Sequence, residues 1–259
     1  MLGSIAGDMI GAPYEGHPTG RKDFPLFCPF SRYTDDTVLT VATAYCLLHG
    51  TGYAEAYRRF ARAHPGRGYG AGFRRWAFRD DAGPYWSKGN GSAMRVAPIG
   101  YAADSVEAVL TEAERSAAVT HNHPEGVKGA QAVALAVFLA RNGVEKDEIR
   151  KEIAARFGYR LTRSLDQIRE HYKPDITCPG SVPEAIVCFL EAEGVEEAIR
   201  NAVWLGGDAD TQACIAGGIA EAFFGGVPSD IETEVRKRLP EDLLAIVDAF
   251  YERFLKRQG

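Results

Sequence analysis

The chain has 259 residues, 46% of them hydrophobic and 25% charged, which is long enough to bury a substantial core without outside help. Its net charge is -5 and its basic residues are scattered among acidic ones, so no stripe exists to track a phosphate backbone and nucleic acid is not expected as the primary partner. The five cysteines, Cys28, Cys46, Cys178, Cys188 and Cys214, are odd in number and lack C-x-x-C spacing, which argues against a disulfide framework and a zinc ribbon and fits a reducing cytoplasm.

In chain order, Gly3, Gly7 and Gly11 stand four residues apart, a spacing that lays a smooth glycine ridge along one face of a helix and lets a neighbouring backbone come close. Asp8 interrupts the apolar stretch that a signal peptide or a membrane helix pair would need, so tight packing in a soluble core is expected. Pro13 then opens a loop carrying Tyr14 and Glu15. Thr34-Asp35-Asp36-Thr37 immediately precedes a helix predicted over Asp35 to His49, and capping alone explains it: threonine accepts from free amides, and acids favour the positive end of the dipole. Apolar spacing of three and four predicts further helices over Ala54 to His64, Val106 to Val119, Val127 to Arg141, Lys146 to Phe157, Val182 to Ala192, Asp208 to Phe224 and Glu241 to Arg257. Turns are marked by Pro65-Gly66, Gly83-Pro84, Pro179-Gly180 and Gly225-Gly226.

Between these helices lie two further features. Gly89-Asn90-Gly91-Ser92 is a glycine-rich turn feeding an apolar helical pattern, able to present free amides to an anion but without the spacing of a P-loop, and an ordinary capped turn accounts equally for Ser92. His121 and His123 flank Asn122 and do not share a helix face, which weakens a metal reading and leaves both as ordinary structural histidines. The apolar run Ala132 to Ala140 is far short of the roughly 20 residues that cross a bilayer. With no strand alternation and no fixed-period repeat, the expectation is an all-α chain forming one domain over residues 1–259.

Gly206-Gly207-Asp208-Ala209-Asp210-Thr211 repeats the character of the first acidic cluster at the start of another helix. Each cluster supplies two carboxylates and a threonine hydroxyl. Four carboxylates brought together would raise one another's pKa values at a cost in stability, whereas two divalent cations offset the four charges. Oxygen-only ligation points to magnesium, manganese or calcium rather than zinc. A calcium loop starting at Asp208 fails at Ala213 and Ile219, where glycine and glutamate are required, and an isoprenoid-synthase-like D-D-x-x-D pattern fails at Leu39.

With these residues in place, the sequence resembles the ADP-ribosyl-acceptor hydrolase (ADP-ribosylglycohydrolase) family, which includes the dinitrogenase reductase-activating glycohydrolase. The resemblance rests on the segment from Gly3 to Gly16, on Tyr33-Thr-Asp-Asp-Thr-Val38, on Gly89-Asn-Gly-Ser-Ala-Met-Arg95 and on Leu205-Gly-Gly-Asp-Ala-Asp-Thr211, with Thr120-His121 as a weaker fifth motif. It implies a compact orthogonal bundle of helices. It also implies two Mg2+ or Mn2+ ions held by Thr34, Asp35, Asp36, Asp208, Asp210 and Thr211, with Asp35 and Asp36 serving catalysis as well. The same resemblance makes Glu15 a catalytic residue over the metals. It assigns Ser87, Gly89, Asn90, Gly91, Ser92 and His121 to ADP-ribose, with Tyr85 or Trp86 as a stacking surface for adenine.

The implied activity is metal-dependent hydrolysis of the bond between the anomeric carbon of ADP-ribose and its acceptor, a modified protein or a small conjugate. Two rivals use the same residues. A module that binds ADP-ribose without turnover would not need Glu15, and a nucleotide-diphosphate phosphohydrolase would yield AMP.

Overall fold

The computed structural model describes residues 1–255. Its helices are α1 Leu2–Gly11, α2 Asp35–His49, α3 Tyr53–Ala63, α4 Ala71–Ala77, α5 Ala97–Ala102, α6 Val106–Ala118, α7 Pro124–Arg141, α8 Lys146–Phe157, α9 Leu165–His171, α10 Cys178–Leu190, α11 Val195–Leu205, α12 Ala209–Phe224, α13 Ser229–Arg238 and α14 Glu241–Phe254. Among the described residues there is no strand, only an isolated bridge between Gly89 and Thr177, so the all-α expectation holds. The buried apolar side chains form one cluster running from Met1 to Phe250. No helix among the described residues is long and apolar enough to cross a membrane.

Helix α12 is the axis of this cluster. It is buried from Ala209 to Ala222 and packs against α1, α7, α10 and α11. Its contact with α1 is backbone to backbone, and the glycine ridge explains why. A Cβ on Gly3 would lie 2.2 Å from Gly217 O, one on Gly7 2.0 Å from Ala213 O, and one on Gly11 2.6 Å from Ala209 O. Those pairings rise along one helix as they fall along the other, so α1 and α12 run antiparallel in a register that only glycine permits. The start of α1 is held by Glu221 of α12, which accepts from Gly3 N at 2.7 Å, and by Tyr251, whose hydroxyl accepts from Leu2 N at 2.8 Å.

Several predicted boundaries move. α10 begins at Cys178, so Pro179-Gly180 is its first turn and not a turn before it; proline's missing N–H and fixed φ suit that position. α7 likewise begins at Pro124, capped by His123 Nδ1, which accepts from Glu125 N at 3.1 Å. The turn at Asn90–Ser92 is a single 3-10 turn followed by a separate α5, so its amides do not stand at the start of an α-helix. Helices α4, α5, α9, α11 and α13 were not expected from periodicity. The helix predicted to Arg257 is seen to Phe254, and its last positions lie outside the described residues.

Candidate metal centre and cleft

The acidic clusters meet because α2 and α12 both bring their N-termini to the C-terminal part of α1, at Asp8 and Gly11. Thr34 caps α2 as expected, its hydroxyl accepting from Asp36 N at 3.2 Å. The stronger cap comes from Asp8, on α1. Its Oδ2 accepts from Thr34 N at 2.9 Å and Thr37 N at 3.1 Å, and its Oδ1 accepts from the Thr34 hydroxyl at 2.7 Å; the Thr37 hydroxyl also donates to it. Asp8 is fully buried, whereas in the sequence it stands out only as an interruption of an apolar stretch. A lone acid beside a glycine ridge was itself a signal, because a buried carboxylate requires partners.

Ligand atoms of Asp8, Asp36 and Asp210 lie within 4.8 Å of one another, and so do those of Glu15, Asp208 and Asp210. Asp210 joins the two groups. Thr211 is buried beside them, with its hydroxyl 3.4 Å from Asp36 Oδ2 as donor, and its amide donates to Asp210 Oδ1 at 2.9 Å. Asp208 precedes α12, delivered by Gly206 and Gly207, whose φ angles of 87° and 77° disfavour other residues. Asp35 belongs to neither three-carboxylate group; it borders the cleft near Gly68, where a Cβ would lie 3.1 Å from its Oδ1.

The electrostatics are those of crowded, buried carboxylates. Burial, followed by the charge of Asp8, pushes Asp35 up to about 8. Asp36 and Asp210 are raised well above the usual carboxylate range, first by burial and then by neighbouring carboxylates. Burial raises Asp8 to about 6 against the opposing effect of its hydrogen bonds. Among the described residues none of these aspartates is ion-paired with lysine or arginine, and Asp36 Oδ1 is buried with no hydrogen-bond partner. An all-oxygen set with an unpartnered buried carboxyl oxygen fits hard divalent cations. Glu15 is raised by burial and by Asp208, partly countered by Arg32.

A cleft of about 400 Å³ opens over the centre, and Glu15, Thr34, Asp35, Asp36, Asp208, Asp210 and Thr211 all line it. Ser87, Gly89, Asn90, Gly91 and His121 line it too. Asn90 has a second duty, donating to Asp208 Oδ2 at 2.6 Å and to Ser181 Oγ at 3.1 Å, which orients that carboxylate. Ser92 is turned inward instead: fully buried, its hydroxyl donates to Gly126 O at 2.7 Å and does not line the cleft. Tyr85 lines the wall, while Trp86 is 61% exposed with φ of 56°, its amide held by Asn122 Oδ1 at 2.8 Å.

Comparisons with known proteins identify the family. The family model for ADP-ribosylglycohydrolase matches residues 1–259. Human ADP-ribosylhydrolase ARH3 is 32% identical over 305 residues, covering 87% of this chain and 84% of the relative. An ADP-ribosylarginine hydrolase of Pseudomonas putida is 28% identical over 273 residues, covering 89% and 71%. A solved structure described as an ADP-ribosylglycohydrolase-related protein complex superposes with a TM-score of 0.71 at 28% identity, covering 97% of this chain and 95% of that one. The chain belongs to the ADP-ribosylglycohydrolase family.

Proposed function

We propose that this chain, as a single domain of residues 1–259, releases ADP-ribose from a modified protein or small conjugate by metal-dependent hydrolysis at the anomeric carbon. That it is a hydrolase of ADP-ribose conjugates follows from its family. The observation that carries the metal dependence is the group of buried carboxylates without cationic partners, with Asp36 Oδ1 unsatisfied. Thr34, Asp35, Asp36, Asp208, Asp210 and Thr211 would hold two divalent cations, Mg2+ or Mn2+. Bound there, such ions supply Lewis acidity toward ribose hydroxyls and a more acidic water.

The chain's own residues do the rest. Glu15 stands at the cleft beside Asp208, and its raised pKa suits a carboxyl that passes a proton to or from the acceptor. The carboxylate floor favours the positive charge that develops on the ribose as the acceptor departs. Ser87 and the Gly89–Gly91 backbone border the space for the diphosphate, His121 stands beside them, and Asn90 keeps Asp208 in place. Ser92 serves as the anchor of that turn through Gly126. Tyr85 and the exposed Trp86 offer ring surface for adenine. The free thiols of all five cysteines fit the cytoplasm.

Ligand-induced stabilisation tests the binding half. A ligand that binds only the folded state raises the melting temperature by mass action. With magnesium present, ADP-ribose is expected to raise it clearly more than AMP at equal concentration. Equal responses would remove the distal ribose from the metal centre.

A further inference from the structure

The two ring nitrogens of His121 have different surroundings. Nδ1 lies 2.7 Å from the hydroxyl oxygen of Thr120. Nε2 faces the phosphate-side turn, where a Cβ on Gly91 would come within 3.3 Å of it and one on Gly89 within 3.5 Å. Thr120 Oγ1 also accepts from Arg95 Nη2 at 3.0 Å, and the same nitrogen donates to Ser116 O at 2.8 Å.

The direction of the Thr120–His121 bond follows from donor arithmetic. A guanidinium can only donate, so Arg95 occupies a lone pair of Oγ1 and leaves the hydroxyl proton to be placed. Thr120 is fully buried, and among the described residues its hydroxyl has no acceptor besides Nδ1. If Nδ1–H donated instead, that hydroxyl proton would be buried without a partner, which costs more than the bond gains. The proton therefore points at Nδ1, and the ring proton sits on Nε2.

Arg95 adds charge to this arrangement. It is fully buried, lies 4.2 Å over the Tyr57 ring and borders the cleft, yet no carboxylate pairs with it among the described residues. Its Nε and Nη1 have no hydrogen-bond partner. Burial and the Arg95 charge hold His121 well below the usual histidine range, which opposes a second ring proton.

We propose that Arg95 and Thr120 lock His121 as the Nε2–H tautomer, a fixed hydrogen-bond donor for an anionic ligand oxygen resting between Gly89 and Gly91. Arg95 and Thr120 are positioning residues in this scheme. The identity of the ligand as a diphosphate rests on the function proposed above, whereas the tautomer does not.

Nitrogen–proton correlation spectra of histidine-labelled protein read the tautomer directly, with the His121→Gln spectrum assigning the signals. The wild-type ring is expected to show a bare Nδ1 and a protonated Nε2 before any ligand is added. Thr120→Val should release the ring to a mixture of tautomers and weaken ADP-ribose binding, measured by calorimetry, on the order of tenfold. Thr120→Ser, which keeps the hydroxyl, should restore both. A wild-type ring protonated on Nδ1, or a Thr120→Val protein with unchanged tautomer and affinity, would overturn the proposal and leave the function standing. Failure of the wild-type protein to bind ADP-ribose would overturn the function and the ligand half, while the spectrum would still decide the tautomer.

Discussion

Both oxygens of Asp8 are engaged by Thr34 and Thr37, the residues that flank Asp35 and Asp36 at the start of α2, with Oδ2 taking three donors and Oδ1 one. Replacing Asp8 with asparagine would either aim an amide N–H at the donating amides of Thr34 and Thr37 or force the Thr34 hydroxyl to give up its donor role. Asp8→Asn is expected to weaken Mn2+ binding by roughly 10- to 100-fold, as losses of supporting residues around a metal do, and to lower stability by about 1–3 kcal/mol. Titration calorimetry and melting curves measure both, and unchanged metal affinity would detach Asp8 from the centre. Glu15→Gln should behave in the opposite sense, keeping metal content while turnover falls by roughly 100- to 10,000-fold. The two acidic clusters were legible in the sequence because capping chemistry concentrates acids and threonines at helix starts. Asp8 was not read as part of the centre because its partner Thr34 is 26 residues away and no local pattern links them.

At the scale of the element, the site depends on how closely α1 and α12 approach. Gly7→Ala would drive a Cβ to 2.0 Å from Ala213 O, a backbone atom that no rotamer can move. Overpacking of this kind is expected to lower the melting temperature by roughly 5–10 °C and, by pushing the start of α12 away from Asp8, to weaken metal binding as well. Gly52→Ala, with nothing within 4 Å of its Cβ, is the matched control and should leave both nearly unchanged. The glycine ridge was legible, as were α2 and α8 to the residue, since apolar spacing and a closing glycine, Gly50 and Gly158, mark them. α11 carries buried Val195, Ile199 and Val203 at four-residue spacing and was legible on that ground, although it is missing from the expected helices, whereas along α13 only Ile231 and Val235 are buried, too few to mark a face. The turn at Asn90–Ser92 departs from the expected helix start for a different reason: Ser92 packs on α7 through Gly126 O, a tertiary contact that composition does not announce, and α5 begins only at Ala97.

For the whole molecule, the crowded carboxylates make stability depend on pH in a direction opposite to that of a salt-bridged aspartate. Asp35 titrates at about 8 in the folded, metal-free protein and near about 4 when unfolded. Between those values the folded state binds more protons than the unfolded state, so the contribution of Asp35 to stability falls as pH rises from about 4 to about 8, and the raised Asp36 and Asp210 act in the same direction. Melting curves in chelator should therefore decline across this window. Added Mn2+ should raise the melting temperature more near pH 8 than near pH 5, because the cation takes the place of protons. A metal-free protein whose stability rises through this range would mean that the carboxylates are already neutralised within the protein.

The most direct measurement is product analysis by mass spectrometry on peptides carrying ADP-ribose through defined arginine or serine linkages, using protein stripped by chelator and then restored with Mg2+ or Mn2+. Intact ADP-ribose and unmodified peptide should appear from at least one linkage, only after metal is restored. AMP as the product, or release of ADP-ribose at full rate by the stripped protein, would contradict metal-dependent cleavage at the anomeric carbon.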